Sequence, residues 1–493
     1  MEEESGYSTR RRRPDSPDRI SALPDALIHL ILSLLPIGEA INTDLLSKRW
    51  KGLWTSVPNL IFTHQGNNFQ RFAQFVDKTL SLYSTSVMVD KFSLCFNYRD
   101  ALLEFSKTQL NSRVTSWLQF ASTHKAEELY VDLEVDNYDE YSQHLKMPLC
   151  LYDNSSLKKL FSNCCVFDEP KGQVSWGLLK DLTISSQSLD GDGDRPPLRM
   201  ILRGCPVIEY LELHNCLLAE EIDASSCTRL KKLVLNQTIG TPDLDISIPS
   251  VISMEISGAH VYCVTFKRLN APSLVDVTLD FQMDKTELAQ YEVPPQDVQN
   301  ESQLLQMLNY VEQLTLGPWF VQALSLLELK RQPSPLSNQR KCLTIAVDFE
   351  DWYLYGVASL LNSSPNLEKL VIRVTSQSHG HNYKFDGEQN ETLDNVGENF
   401  WEADERSFSF ECLLTSLKTV EIVGLQPLHR MDEFFIAYEF VEFILGSARV
   451  LERIVLVTEK SSNSEEADGS LVEAQSLLSS LPRSSPHAVV SFA

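Results

Sequence analysis

The chain has 493 residues, enough for one extended array or two to three compact domains. Hydrophobic residues at 43% against 22% charged describe an ordinary soluble protein, and no apolar run approaches the ~20 residues a membrane helix needs. A formal net charge of −24 argues against nonspecific nucleic-acid binding, which needs basic surface to displace counterions, and against an anionic membrane surface.

Residues 1–17 mix acids with Arg10–Arg13 and have no hydrophobic core, so they do not read as a secretory signal. The arginine run is either a flexible charged tail or a nuclear import signal. Asp18–Trp54 then reads as three short helices. Pro24 and Asp25 open the first, and Pro36 stops it. Gly38–Asn42 is barely one turn. Thr43 is an N-cap candidate for the third helix, where Leu46, Trp50, Leu53 and Trp54 recur with helical spacing. In the first helix Leu27, Ile28, Leu30, Ile31, Leu32, Leu34 and Leu35 cover an arc of roughly 200°, against the ~100° stripe that one core face needs. A unit this small cannot bury all of that, so the surplus meets either the rest of the chain or another protein.

Asp18-Arg19-Ile20-Ser21, Leu23-Pro24-Asp25, Ile31-Leu32-Ser33, Leu35-Pro36 and Leu46-Ser47-Lys48-Arg49-Trp50, at fixed spacing, make this stretch resemble a plant F-box over residues 18–62. In that family the Leu-Pro pair and the apolar first helix dock on a Skp-type adaptor that hangs from a cullin scaffold. Carried over, the resemblance makes Leu23, Pro24, Ile28, Ile31, Leu32 and Leu35 the adaptor contacts. Gly38 stands where the family usually has a lysine or arginine, and Asn42 is also unusual.

Residues 63–125 read as linker helices and a first repeat: a helix over Phe69–Tyr83, a strand over Val89–Phe96, and a helix carrying Val114, Trp117, Leu118 and Ala121. A strand at Glu128–Leu133 opens residues 126–375, which repeat. Ile208-x-x-Leu211-x-Leu213-x-x-Cys216-x-Leu218 is a full match to the leucine-rich pattern, and partial copies start at Leu157, Leu179, Leu230, Val251, Leu274, Val311 and Leu367. From Leu157 to Leu274 the first positions are 22, 29, 22, 21 and 23 residues apart. Each unit alone leaves an apolar edge open; stacked, they form one core and a curved parallel sheet, a leucine-rich-repeat solenoid. Strand alternation turns residues 3, 5 and 7 of each unit to the open face. These include Lys159, Phe161 and Asn163, then Asp181, Thr183, Tyr210, Glu212, His214, Lys232, Val234, Asn236, Glu255, Asp276, Asp280, Lys369, Val371 and Arg373. Phe161 and Tyr210 as anchors, with Glu212, Lys232, Lys369 and Arg373 as polar neighbours, are the candidate contacts for a target protein.

Glu287–Asn300 reads as a loop, and 376–407 as an acidic, polar insertion. Within 408–457, Cys412-Leu413-Leu414, Val420-Glu421-Ile422 and Phe443-Ile444-Leu445 resemble the FBD region that follows the repeats in many plant F-box proteins, without the usual proline before the Cys-Leu pair. Residues 458–493 read as a linker and tail. The fold class is therefore α/β: a three-helix F-box, a leucine-rich-repeat solenoid and a C-terminal FBD region.

Searching for chemistry finds no GxSxG elbow, Walker loop or HExxH. Asp190-Gly-Asp192-Gly-Asp194 imitates a calcium loop but lacks its later ligands, and His379-Gly-His381 has no fixed partners. Lys159, Lys232, Lys369 and Arg373 are too dispersed to hold a phosphate, so no cofactor is expected. The ten cysteines contain no CxxC pair; free buried thiols fit the cytosol or nucleus. With no enzyme chemistry, the resemblance implies the substrate-recognition subunit of an SCF-type ubiquitin ligase, binding a Skp-type adaptor and a target protein. The alternative is an interaction scaffold acting outside any ligase.

Overall fold

The structure, a computed structural model, describes residues 20, 22–134, 145–167, 174–189, 196–238, 244–259, 266–282, 302–329, 332, 334–347, 351–374, 400–401, 408–425, 431–458, 477–478 and 480–492. The arginine run, the calcium-like Asp190–Asp194, the loop at Glu287–Asn300 and His379 and His381 lie outside them, as does most of the acidic insertion. Two compact units divide at residues 165 and 166.

The first unit starts with helices at Asp25–Ser33 and Ile37–Asn42. The third helix expected from Thr43 is not continuous. A 3-10 turn at Thr43–Leu45 and another at Leu53–Ser56 replace it. Gly52, at φ 77°, breaks the helical path in a conformation that costs glycine little. Thr43 does not cap: its hydroxyl donates back to the Ala40 carbonyl at 2.6 Å. Strands Asn59–Thr63, Lys91–Asn97, Glu128–Glu134 and Lys159–Asn163 then pair in parallel in that order. The register stacks Leu60, Phe92, Leu129 and Leu160 in one apolar row. Helix Phe69–Leu82 is capped by Asn68, whose side chain accepts from the Arg71 amide at 2.8 Å. Helix Lys107–Thr123 starts in a capping box between Ser106 and Gln109. The two are tied by Asp77, which accepts from Trp117 Nε1 at 2.7 Å and pairs with Arg113. Phe69 and Phe96 pack at 4.8 Å beside Phe72 and Trp117.

In the second unit the parallel strands run from Asp181–Ser188 to Val489–Phe492, neighbours in sequence being neighbours in the sheet. Leu182, Leu211, Leu233, Met254, Val277, Leu314, Leu343, Leu370, Val420, Ile454 and Val490 share one register row. A one-residue slip anywhere would drive the charged face into the core, so the row fixes the register. A smaller parallel sheet joins Glu221–Asp223, Leu244–Ser247 and Phe266–Asn270, elements the sequence pattern did not reveal. At the fifth position past the first residue of a strand the backbone steps into positive φ, at Cys164, Ser186, Asn215 and Gln237, and at Gly258 and Gly424. A Cβ at Gly258 would lie 2.8 Å from the Gln237 Cα, so the repeated step stacks too closely there for a side chain.

The wide gap between Val311 and Leu367 holds a repeat whose first position is Arg340, with Leu343 and Ile345 behind it on strand Cys342–Val347. Arg340 is 2% exposed, donates to the Ser364 hydroxyl at 2.8 Å, and burial lowers its pKa to about 10. Residues 408–457 continue the same architecture: strand Thr419–Leu425, helix Met431–Ser447 and strand Arg453–Thr458, followed by a last strand at Val489–Phe492 in what was expected to be a tail. No helix among the described residues is long and apolar enough to cross a membrane. Nine described cysteines are free.

Candidate adaptor-docking site

Two apolar stripes run along helix Asp25–Ser33. Ile28 and Leu32, four residues apart, are both fully buried and join Ile37, Ala40, Trp50 and Trp54 in a small core. This corrects their expected role: side chains sealed inside their own unit cannot be adaptor contacts. The other stripe is Leu27, Leu30, Ile31 and Leu34, at spacings of three and four, exposed by 46, 56, 38 and 79%. Ile20, Leu45 and Leu46 extend the exposed apolar surface on the same module. Of the other expected contacts, Pro24 is exposed at the N-cap, while Leu23 and Leu35 are half-buried. Leu27, Leu30, Leu34, Leu45 and Leu46 were not among the expected contacts, although the surplus arc already contained the first three.

The frame holding this stripe is polar and local. Arg49 pairs with Asp25 at 2.8 Å, and its hydrogen bond and charge lower the Asp25 pKa. Asp44 accepts from the Gly52 amide at 2.8 Å and from Trp54 Nε1 at 3.3 Å, closing the segment that the third helix was expected to fill. Asn59, on the first strand, donates to the Ser33 carbonyl at 3.1 Å. That bond satisfies a carbonyl at the end of the helix and ties the first helix to the sheet.

A second surface is the polar face of the repeat strands. In the first unit Phe161 stacks on Tyr130 at 4.1 Å with the rings 9° from parallel, while Asn163 donates to Asp132 at 2.8 Å. Tyr130 was not foreseen as its partner. In the second unit Tyr210, Glu212 and Lys232 come together on adjacent strands. The Tyr210 hydroxyl donates to Glu212 at 2.9 Å, and Lys232 Nζ sits 5.9 Å from the Tyr210 ring centre. Burial, then the hydrogen bond to Glu212, pushes the Tyr210 phenol well up. Glu212 also faces His214 at 2.8 Å and accepts from Thr183 at 3.3 Å. Lys369 pairs with Glu421 at 2.9 Å, and Arg373, on the same strand, is exposed. Five strand steps separate Lys369 from Lys232, so these two groups form no single pocket. Val234 and Val371, expected on the open face, are 3% and 8% exposed: both are short and lie under longer neighbours such as Glu212, Glu255 and Glu421 in register. Asp280 is half-buried; burial pushes its carboxyl up and Arg373 pulls it back.

Comparison with known proteins assigns both surfaces to recognised modules. The F-box domain matches residues 20–62, and the leucine-rich-repeat domain described as At1g61320/AtMIF1 matches residues 96–480. F-box/LRR-repeat protein At5g02910 of Arabidopsis thaliana is 32% identical over 372 residues, covering 74% of each chain. This chain belongs to the plant F-box/LRR-repeat family. Another relative, F-box/LRR-repeat protein At3g03360 of the same plant, is 28% identical over 456 residues, 87% of each chain. In this F-box/LRR-repeat protein the FBD-like stretch lies inside the matched repeat domain, and its strands pair in the same parallel order.

Among the described residues no group of three or more His, Cys, Asp or Glu is placed to hold a metal ion. Of the two surfaces, one is apolar and local to the F-box, the other polar and spread along the repeats.

Proposed function

We propose that this F-box/LRR-repeat protein is the substrate-recognition subunit of an SCF-type (Skp–cullin–F-box) ubiquitin ligase. The F-box docks the Skp-type adaptor, which links it to the cullin scaffold, and the repeats hold a target protein. Its contribution is positional and non-catalytic: it raises the concentration of the target near a ubiquitin-loaded enzyme carried elsewhere on the scaffold. The nucleus or cytoplasm, where such ligases meet their targets, is the compartment this reading requires.

The observation that carries it is the outer stripe of the first helix. Leu27, Leu30, Ile31 and Leu34 stay in water although the same helix buries Ile28 and Leu32 completely. Fully covering one such side chain is worth ~1.5–3 kcal/mol, so four on one stripe are a strong drive toward a partner.

Co-expression with a Skp-type adaptor tests the reading. The wild-type chain should co-purify with it, and Leu27→Ala/Leu30→Ala/Leu34→Ala should abolish the complex while leaving the unfolding midpoint nearly unchanged. A complex that survives the triple replacement, or no complex with wild type, would overturn the proposal.

A further inference from the structure

The polar face of the second unit is sorted by charge. From strand Asp181–Ser188 to strand Asp276–Gln282 it carries Asp181, Glu212, Glu255, Asp276 and Asp280, and among the described residues Lys232 is the one lysine or arginine there. Lys232 is already paired with Glu255 at 3.3 Å. From strand Lys369–Val374 to strand Arg453–Thr458 the balance reverses: Lys369, Arg373 and Arg453 stand against Glu421, which Lys369 holds. The two intervening strands show Gln313, Thr315, Cys342, Thr344 and Ala346 on this face, without a charge.

Three strand steps separate Asp276–Gln282 from Lys369–Val374. At ~4.8 Å per step this is about 14 Å, beyond the ~8 Å over which exposed charges act at physiological salt. Arg373 nonetheless acts on the half-buried Asp280, so the patches meet along that row; Asp181, Glu212 and Glu255 on one side and Arg453 on the other lie farther apart, and there each patch keeps its own sign toward a partner. A uniformly basic or uniformly acidic partner would be attracted at one patch and repelled at the other, which is how charge patterns select partners.

We propose that the target segment received by this face is itself bipolar: an extended stretch whose lysines or arginines sit at Asp276 and Asp280 and whose acids, about four residues further along the chain, sit at Arg373 and Arg453. The spacing follows from the 14 Å gap and ~3.4 Å per extended residue. The inference rests on the reading that the repeats bind the target.

The test uses the purified full chain and fluorescently labelled peptides read by anisotropy. One peptide carries a lysine cluster, a Gly/Ser spacer of about four residues and a glutamate cluster. A second has the same composition with lysines and glutamates alternating, and a third carries lysine clusters at both ends. The bipolar peptide should bind roughly tenfold tighter than the alternating one, with the advantage shrinking in high salt. Asp276→Asn/Asp280→Asn should erase that advantage. Arg373→Glu/Arg453→Glu should transfer the preference to the doubly basic peptide, a gain that a misfolded variant could not produce. Equal binding of the bipolar and alternating peptides, no binding of either, or an unmoved preference in the charge-reversed variant would overturn the inference. Adaptor co-purification on the same preparations reads the ligase proposal separately: it should be intact in all these variants, and its loss in wild type would strike that proposal while leaving the peptide preference to stand or fall by itself.

Discussion

Helices Asp25–Ser33 and Pro318–Leu329 are both rich in leucine, yet they end in opposite environments. In the second, every side chain from Trp319 to Leu327 is at least nine-tenths buried. The sheet covers one side, and helix Asp351–Asn362 comes so close on another that a Cβ at Gly356 would lie 2.2 Å from the Val321 carbonyl oxygen. Polar groups there bond within the layer, Gln322 donating to the Tyr353 hydroxyl at 2.8 Å and the Gly356 amide to Ser325 Oγ at 2.8 Å, although Gln322 Oε1 is buried without a hydrogen-bond partner among the described residues. In the first helix only Ile28 and Leu32 find such cover. An apolar helix in the repeats is thus a part of the core, whereas the one in the F-box is half core and half exposed. Composition alone does not separate these roles; the number of neighbouring layers does.

Replacements should break this symmetry of composition cleanly. Phe320→Ala, deep between sheet and helix, should cost about 4 kcal/mol of stability in urea unfolding, and Leu32→Ala, on the inner stripe of the F-box, about 3 kcal/mol. Leu30→Ala or Leu34→Ala, one turn away on the outer stripe, should stay within about 0.5 kcal/mol of wild type. If the outer leucines proved as costly as Leu32, the stripe would be core and not a docking face. Next in size, Arg340→Met should raise stability by about 1 kcal/mol, because an aliphatic chain at the first repeat position avoids desolvating a guanidinium, and Ser364 keeps its bond to the Leu360 carbonyl at 2.6 Å. A fall in the unfolding midpoint of that variant would mean that Arg340 has a stronger anionic partner than Ser364.

The smallest effect concerns Asp280. Its folded pKa is raised above the ordinary 3.8, so the ionised carboxylate destabilises the fold at neutral pH. That penalty builds as pH rises from the unfolded value through the folded one and is absent below both. Asp280→Asn should therefore raise the thermal midpoint slightly at pH 7, with the gain closing as pH falls toward 3.8. A gain that persists in acid would assign the effect to packing against Gly317 and not to charge.

Several features were legible because they rest on periodicity that packing must respect. The helix at 69–82, the strands near 91 and 128, and the alternation along each repeat all follow from which faces need to be dry. The repeat at Arg340 escaped because its first residue is charged and only the buried environment reveals the register. The third F-box helix was over-read: Leu46, Trp50, Leu53 and Trp54 have helical spacing, but Asp44 and Gly52 form a tighter turn whose hydrogen bonds satisfy the backbone another way.

The amino-acid order by itself determined the modules, their succession and the excess of leucine in the first helix, since these are counts and spacings along one dimension. Which leucines are sealed and which meet water was decided only in three dimensions, because burial depends on what other elements bring alongside: Ile28 and Leu32 are fully buried, and Ile37, Trp50 and Trp54 nearly so, while Leu34 stays largely open. The same holds for the charge pattern of the repeats, where Asp280 and Arg373 stand far apart in sequence and come onto one face only when the strands stack in register.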